Sequence, residues 1–113
     1  MREPNQPATD ALTLPNVFNA LSDPVRLQVL AELDERGEVQ CGDLRLDVPK
    51  STLSHHLKVM REAGLTETRI EGTNRFISLR EADLGGRFPG LLDSILEHLR
   101  KRSKRRPVRA QGR

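Results

Sequence analysis

The chain has one cysteine, no tryptophan, no tyrosine and only three phenylalanines among its 113 residues. The single cysteine, Cys41, excludes an internal disulfide and a zinc site built from several cysteines. The shortage of aromatic rings argues against a stacking platform for single-stranded nucleic acid, which needs rings along a groove. No apolar run reaches the roughly 18 residues of a membrane-spanning helix, and the polar first ten residues contain no signal-peptide core. We therefore expect a cytoplasmic protein without a membrane-spanning segment.

Positive charge is concentrated at the C-terminal end of the chain. Residues 100–113 contain eight Lys or Arg and no acidic residue, whereas residues 1–99 contain 11 basic and 16 acidic residues, a net charge of −5. DNA binding by the folded part therefore requires a local basic face, because the overall charge does not supply one. Length and composition predict one domain at 14–99, a disordered N-terminal segment at 1–13 and a basic, disordered tail at 100–113.

Helical signals fill the first half of the predicted domain. Asp23 is a good N-cap and Pro24 suits the first helical position, so a helix is predicted to begin there and to end at Gly37. Apolar residues at helical spacing predict a short helix before it, a short third helix after it, and a fourth helix over Ser51–Ala63. The residues that indicate the two short helices are Val17, Phe18 and Leu21 for the first, and Val39, Cys41, Leu44 and Leu46 for the third.

The pattern changes to strands after Leu65. Two stretches within 66–79 carry Thr, Ile and Phe on either side of a Gly-containing turn, which predicts a β-hairpin. Residues 80–90 contain three Gly and one Pro and are expected to form a loop or a broken helix, whereas 91–99 has the spacing of a last amphipathic helix. The expected fold is mainly α with a small β-hairpin: four helices, two strands and a final helix, the order of a winged helix-turn-helix.

The helix Ser51–Ala63 and the hairpin carry the side chains that we expect to contact DNA. The major groove admits a helix, and a helix N-terminus attracts phosphate. The outer face of this helix offers short hydroxyl side chains, an imidazole and flanking lysines, while the hairpin can reach the neighbouring backbone or minor groove. The expected contacts are Lys50, Ser51, Thr52, Ser54, His55 and Lys58 on the helix, Arg69, Thr73, Asn74 and Arg75 on the hairpin, and Arg26 and Arg45 as further phosphate contacts.

Each of these features also has a purely structural explanation. A Ser- and Thr-rich helix start is good capping chemistry, and a polar outer face is ordinary on a surface helix. Neighbouring residues on a helix point about 100° apart, so His55 is expected to face outward and His56 to pack behind the helix rather than to bind a metal. Cys41 is expected to be a small buried hydrophobic residue. Asp23 is an alternative partner for Arg26, three residues away on the same helix.

Two segments resemble the ArsR/SmtB family of bacterial transcriptional regulators. Leu21-Ser22-Asp23-Pro24-Val25-Arg26-Leu27 is similar to the opening of the family domain, and the run STLSHHLKVMREAGL at 51–65 is similar to its recognition helix. With the wing at 69–79, the resemblance covers residues 16–99. It implies a homodimer formed through the first and last helices and binding to a near-palindromic operator. Many members of the family are repressors that a metal ion releases from DNA.

The metal-binding motifs of the family are not matched. The thiolate motif of its arsenic and cadmium sensors would place cysteines where this chain has Gln40 and Gly42. Its zinc, cobalt and nickel sensors often carry Asp-x-His early in the last helix, but Ile95 stands at the histidine position. Two symmetry-related last helices could still assemble a site for nickel or zinc as an effector, and the alternative is a separate sensor protein. The candidate ligands are Asp93, Glu97 and His98.

The leading hypothesis is a sequence-specific transcription regulator that binds double-stranded DNA. Residues 51–63 would enter the major groove and the wing at 66–79 would contact the flanking groove or backbone. The alternative is a non-specific architectural DNA-binding protein driven by the basic tail. An enzyme is not expected, because the sequence shows no nucleophile–base pair, no Gly-rich phosphate loop and no paired carboxylates, and no cofactor is required.

Overall fold

The computed structural model describes the backbone of residues 6–111 and the side chains of residues 6–101. The expected mainly helical fold with a β-hairpin is confirmed in this part of the chain. Single turns of 3₁₀ helix lie at Thr9–Ala11 and Cys41–Asp43. The helices and strands are α1 (Leu14–Leu21), α2 (Pro24–Arg36), β1 (Val39–Gln40), α3 (Lys50–Glu62), β2 (Thr66–Glu71), β3 (Asn74–Leu79), α4 (Glu81–Arg87) and α5 (Leu91–Gln111).

The boundaries of α2 follow from the residues on either side of it. The Asp23 carboxylate accepts hydrogen bonds from the backbone N–H groups of Val25 and Arg26, at 2.8 and 3.3 Å. Pro24 occupies the first position, where no N–H is needed. Gly37 follows the last turn with a φ of +80°, a conformation that favours glycine. The predicted N-cap and the predicted end of this helix are confirmed.

One hydrophobic core joins the helices to the sheet. Helix α3 packs on this core through one face. Its two buried residues, His56 and Met60, lie one helical turn apart on that face. Removal of apolar surface from water is the main favourable term in folding, so this face fixes α3 against the rest of the molecule. The buried apolar side chains are Leu12, Val17, Ala20, Val29, Leu30, Leu33, Val39, Met60, Ala63, Leu65, Ile77, Leu84, Leu92 and Leu96.

The β-hairpin at 66–79 belongs to a three-stranded antiparallel sheet with the order β1-β3-β2. Strands β2 and β3 pair in register from Thr66 opposite Leu79 to Glu71 opposite Asn74. Gly72 takes up the turn between them with a φ of +64°. The predicted hairpin is confirmed, and its core-facing side rests on the helices.

The predicted third helix, over residues 39–46, is wrong. Val39 and Gln40 form strand β1 instead, with Val39 opposite Ile77 on β3, and a single 3₁₀ turn follows. Val39 is buried against the core, and a β-branched residue packs well on a sheet. Gly42 lowers the helix propensity of the segment, so sheet pairing prevails over a weak helical pattern.

The N-terminal segment was expected to be disordered, and residues 6–13 contradict this. Leu12 is only 1% exposed. The carbonyl of Pro7 accepts a hydrogen bond from Arg80 at 2.7 Å, and the Thr9 hydroxyl donates to Asp83 at 2.8 Å. Polar composition predicted disorder, but one buried leucine and these long-range bonds hold the segment in place. Residues 1–5 lie outside the described residues.

Helix α5 runs past the predicted end at residue 99, and its backbone is assigned as helix to Gln111. The expected disorder of residues 100–113 stays a prediction. The Arg100 guanidinium makes two hydrogen bonds to the Asp34 carboxylate, at 2.6 and 2.8 Å, which join α5 to α2. Lys and Arg are good helix formers, which favours helix immediately after Leu99, whereas Pro107 removes one backbone donor farther along. Residues 112–113 lie outside the described residues.

Residues 80–90 form the broken helix that was one of the two expectations for this segment. Helix α4 covers only seven residues, and Gly90 separates it from α5 with a φ of +86°. Arg80, at its start, is 5% exposed and its Nε donates to Asp83 at 2.9 Å. The short helix thereby closes one end of the core between the N-terminal segment and α5.

Candidate nucleic-acid interface

Helix α3 presents a continuous polar surface to solvent. Six residues between positions 50 and 58 are exposed, and Glu62 is exposed near the end of the helix. Leu53 and Leu57 are half-buried, and His56 and Met60 are buried. The sequence therefore predicted the orientation of this helix correctly, because its apolar residues recur at helical spacing. We call the exposed residues between positions 50 and 58 the reading face; it consists of Lys50, Ser51, Thr52, Ser54, His55 and Lys58.

The N-terminus of α3 has no side-chain cap. Pro49 occupies the N-cap position, and no side chain there accepts a hydrogen bond from the first turn. The first N–H groups of a helix have no acceptor within the helix, so they are directed toward solvent together with the positive end of the helix dipole. A phosphate oxygen is a suitable partner for such a terminus, and Lys50 adds a full positive charge beside it.

His56 lies behind the helix, as the sequence predicted. It is 8% exposed, and its Nδ1 lies 3.0 Å from Nη1 of Arg26. The expectation that Arg26 contacts phosphate is wrong, because this side chain is only 9% exposed and also donates to the carbonyls of Asn19 and Ala20. Buried polar groups need partners, and the three acceptors available here lie inside the protein. Arg45 is exposed and stays a candidate.

The wing is the hairpin β2–β3 with its turn, residues 66–79. Arg69 is exposed on β2, but its guanidinium donates to both Glu38 carboxylate oxygens, at 2.8 and 3.2 Å, and stacks on Phe76 at 4.6 Å from the ring centre. The hydrogen bond from Arg69 lowers the pKa of Glu38, and Glu38 in turn raises the pKa of Arg69. Nη1 of Arg69 also lies 3.5 Å from the Glu71 carboxylate. Arg69 must leave both acidic partners in order to contact DNA.

Three other predicted wing contacts lie near the hairpin turn and are exposed. Thr73 is in the turn itself, and Asn74 and Arg75 open strand β3. The side-chain oxygen of Asn74 accepts a hydrogen bond from the Gln40 amide at 2.8 Å. The wing tip therefore projects polar and cationic groups beyond the core, in the position from which a hairpin can follow a neighbouring backbone.

The candidate metal ligands do not form a site within one chain. Asp93, Glu97 and His98 are all exposed on α5, and Glu97 lies 3.7 Å from the Lys101 ammonium. Among the described residues, no group of three or more His, Cys, Asp or Glu side chains comes together to hold a metal ion. Cys41 is half-buried, and burial raises the pKa of its thiol, which disfavours the thiolate that metals bind.

Comparison with known proteins identifies the domain. A family model described as a helix-turn-helix domain matches residues 21–69. An HTH-type transcriptional regulator of Bacillus subtilis (strain 168), YceK, is 39% identical over 82 residues, which cover 70% of this chain and 82% of the relative. The arsenical resistance operon repressor of the same organism is 35% identical over 71 residues, which cover 61% of this chain and 68% of the relative. The chain belongs to the ArsR family of helix-turn-helix transcriptional regulators.

A solved structure of an ArsR family transcriptional regulator has the same fold. It superposes with a TM-score of 0.58 at 22% sequence identity, and the match covers 80% of this chain and 90% of that one. The family, the winged helix-turn-helix fold and the function as a DNA-binding transcription regulator are therefore confirmed. The helix-turn-helix match at residues 21–69 includes all of α3. The individual DNA contacts stay predictions. Within residues 6–111, no helix is long and apolar enough to cross a membrane.

Two contacts were missed from the sequence. Glu38 was not considered, although it accepts hydrogen bonds from Arg69, and Arg26 was expected to contact DNA rather than His56 on α3. In both pairs the partners lie about 30 residues apart in the chain, Glu38 with Arg69 and Arg26 with His56. Local spacing contains no signal for such contacts. Only the packing of α2 on α3, and of β1 on β3, brings these groups together.

Proposed function

We propose that this ArsR family regulator binds a near-palindromic operator as a homodimer, with α3 in the major groove and the wing on the flanking groove or backbone. The reading face of α3 is the observation that supports this proposal. It combines hydroxyl groups, an imidazole and two lysines beside an uncapped helix N-terminus, on a helix that buried residues hold from behind. Hydroxyl and imidazole groups suit base edges, and the lysines suit phosphates. Operator binding requires access to the chromosome, so we propose a cytoplasmic location.

An exposed apolar surface on α1 supports the homodimer. Leu14 and Phe18 are 41% and 52% exposed and lie one helical turn apart. On α5, Leu91, Ile95 and Leu99 are half-buried against the core. A dimer through α1 and α5 would cover these apolar groups and set two copies of α3 about one turn of DNA apart, roughly 34 Å.

Base reading by α3 can be tested by selecting preferred sequences from a pool of randomised duplexes. We expect Thr52→Ala to change the preferred base at one position of each half-site, because a base-edge contact contributes about 1–3 kcal/mol of discrimination. Lys58→Ala is expected to lower affinity for every duplex without changing the preferred sequence, because a phosphate contact carries no sequence information. If both variants select the wild-type sequence with wild-type affinity, α3 does not read the DNA.

Non-specific binding through the basic C-terminal segment is the second candidate function. Six Lys or Arg residues lie between positions 102 and 113, and each phosphate that they neutralise would steepen the salt dependence of binding. Replacing these six residues by Gln in the full-length chain distinguishes the candidates. A sequence-specific regulator keeps its preference for the selected operator over random DNA, whereas a tail-driven binder loses most of its affinity for both.

A response to nickel or zinc is a further proposal, and it requires ligands from two chains. The exposed Asp93, Glu97 and His98 of one α5 would have to meet those of its partner. Calorimetric titration of the dimer with each metal, with and without operator DNA, tests this, since a coupled site changes DNA affinity when the metal binds. Absence of any binding heat would favour a separate sensor protein. We propose binding rather than catalysis as the activity, without a required cofactor.

A further inference from the structure

Arg26 connects three helices at one buried point. It lies in the first turn of α2, and its Nε and Nη2 donate to the carbonyls of Ala20 and Asn19 at 2.8 and 3.1 Å. These carbonyls belong to the last turn of α1. In a continuous helix the Ala20 carbonyl would accept from residue 24, but Pro24 has no N–H. The Arg26 guanidinium supplies that missing donor and so ties α1 to α2.

The third nitrogen of the guanidinium contacts α3. Nη1 of Arg26 lies 3.0 Å from Nδ1 of His56. Arginine only donates hydrogen bonds, so Nδ1 must accept, and His56 is therefore neutral with its proton on Nε2. That nitrogen lies 3.9 Å from Oδ1 of Asp23, the oxygen that caps α2. His56 thus presents one acceptor to Arg26 and one donor toward Asp23.

The position of His56 determines how the reading face is presented. Thr52 lies one turn before His56 on α3, and His55 is its neighbour. A rotation of α3 about its axis, or a slide along it, would therefore move these groups relative to a base edge. The Arg26–His56 bond opposes such movement, because both side chains are at least nine-tenths buried and an unsatisfied polar group there is unfavourable.

We propose that Arg26 is a positioning residue for operator recognition, acting through His56 to fix the orientation of α3 relative to α1 and α2. This inference rests on the proposed function, because it concerns how α3 reads DNA. It assigns sequence specificity partly to a buried residue that does not touch DNA. Helix α1 also carries the apolar surface of the proposed dimer, so the same bonds link that surface to the reading face.

Two substitutions of His56 in the full-length chain test this proposal. His56→Leu is similar in size and forms helix well but has no acceptor. His56→Gln keeps one acceptor and one donor in its amide. We expect His56→Leu to lower the ratio of operator to random-duplex affinity at least tenfold while its affinity for random duplex stays within about twofold of wild type. His56→Gln should restore most of the ratio.

The controls separate positioning from loss of structure. Circular dichroism and thermal unfolding confirm that each variant is folded at the binding temperature. If His56→Leu does not fold, Arg26→Lys takes its place, and the same loss of ratio is expected. The single nitrogen of an ammonium group cannot reach the three separate acceptors that Nε, Nη1 and Nη2 of Arg26 contact. The proposal is overturned if a folded His56→Leu variant keeps the wild-type ratio of operator to random-duplex affinity. It is also overturned if His56→Gln loses as much of that ratio as His56→Leu. If the wild-type protein itself does not prefer operator, the proposed function fails, and the positioning role fails with it.

Discussion

At the scale of single residues, His55 and His56 are neighbours with opposite environments. His55 is exposed on the reading face, whereas His56 is buried against Arg26. The sequence predicted this difference because helix geometry and the apolar positions around Met60 fix the inner side of α3. It could not predict the role of Arg26. The acceptors of that side chain come from α1 and α3, and their meeting depends on how three helices pack.

Gly64 offers a test of packing at the scale of one residue. Its φ is +85°, and a Cβ atom added there would lie 2.1 Å from Cδ2 of the buried Leu12. We expect Gly64→Ala to lower the free energy of unfolding by about 3 kcal/mol, from backbone strain and overpacking together. Urea titration at fixed protein concentration measures this change.

Gly72→Ala is the matched control for that substitution. Gly72 also has a positive φ, +64°, but nothing lies within 4 Å of an added Cβ. Only backbone strain applies, so a loss of about 1 kcal/mol is expected. Equal losses at the two positions would mean that Leu12 does not pack on Gly64, and the N-terminal segment would then not be part of the core.

At the scale of elements, the short strand β1 places an acidic partner beside Arg69 of the wing. Strand β1 pairs with β3, and this brings Glu38 beside Arg69 on β2. A two-residue strand leaves almost no pattern in the sequence, so neither the strand nor the ion pair could be predicted. The pKa of Glu38 is lowered, so the ion pair is present at neutral pH and is lost as the pH falls through that lowered pKa.

Glu38→Gln is expected to make Arg69 more available to DNA, because it removes the closer of two carboxylates and leaves only Glu71, at 3.5 Å. Affinity should rise about two- to fivefold for every duplex, and the salt dependence should steepen by about one counterion if Arg69 gains a phosphate. Fluorescence anisotropy at several salt concentrations measures both quantities. Glu35→Gln, an exposed position on α2, makes the same change in net charge away from the wing. If the two variants behave alike, only the overall charge matters and Glu38 does not restrain Arg69.

At the scale of the whole molecule, the sequence predicted the central helices and the hairpin better than the segments that pack against them. Caps, helical spacing and the Gly-containing turn each act locally, and they placed α2, α3 and the hairpin correctly. The N-terminal segment and strand β1 were predicted wrongly. Both depend on contacts with distant residues, such as Arg80 with Pro7 and Val39 with Ile77.

The proposed dimer predicts the effect of a charge on the apolar surface of α1. Phe18→Glu should convert the protein to a monomer at micromolar concentration, because an unpaired carboxylate would be buried at the interface. Affinity for the operator should fall at least tenfold, since only one half-site is then held. Sedimentation and anisotropy measure the two effects, with the exposed Gln28→Glu on α2 as the control. A dimeric Phe18→Glu variant would place the interface elsewhere.

The central claim is that α3 reads the sequence of double-stranded DNA. The most direct test is equilibrium titration of the wild-type protein with its selected operator and with a scrambled duplex of equal length and composition at physiological salt. We predict a preference for the operator of about a thousandfold or more, the range of specific protein–DNA binding. Equal affinity for the two duplexes would contradict the account.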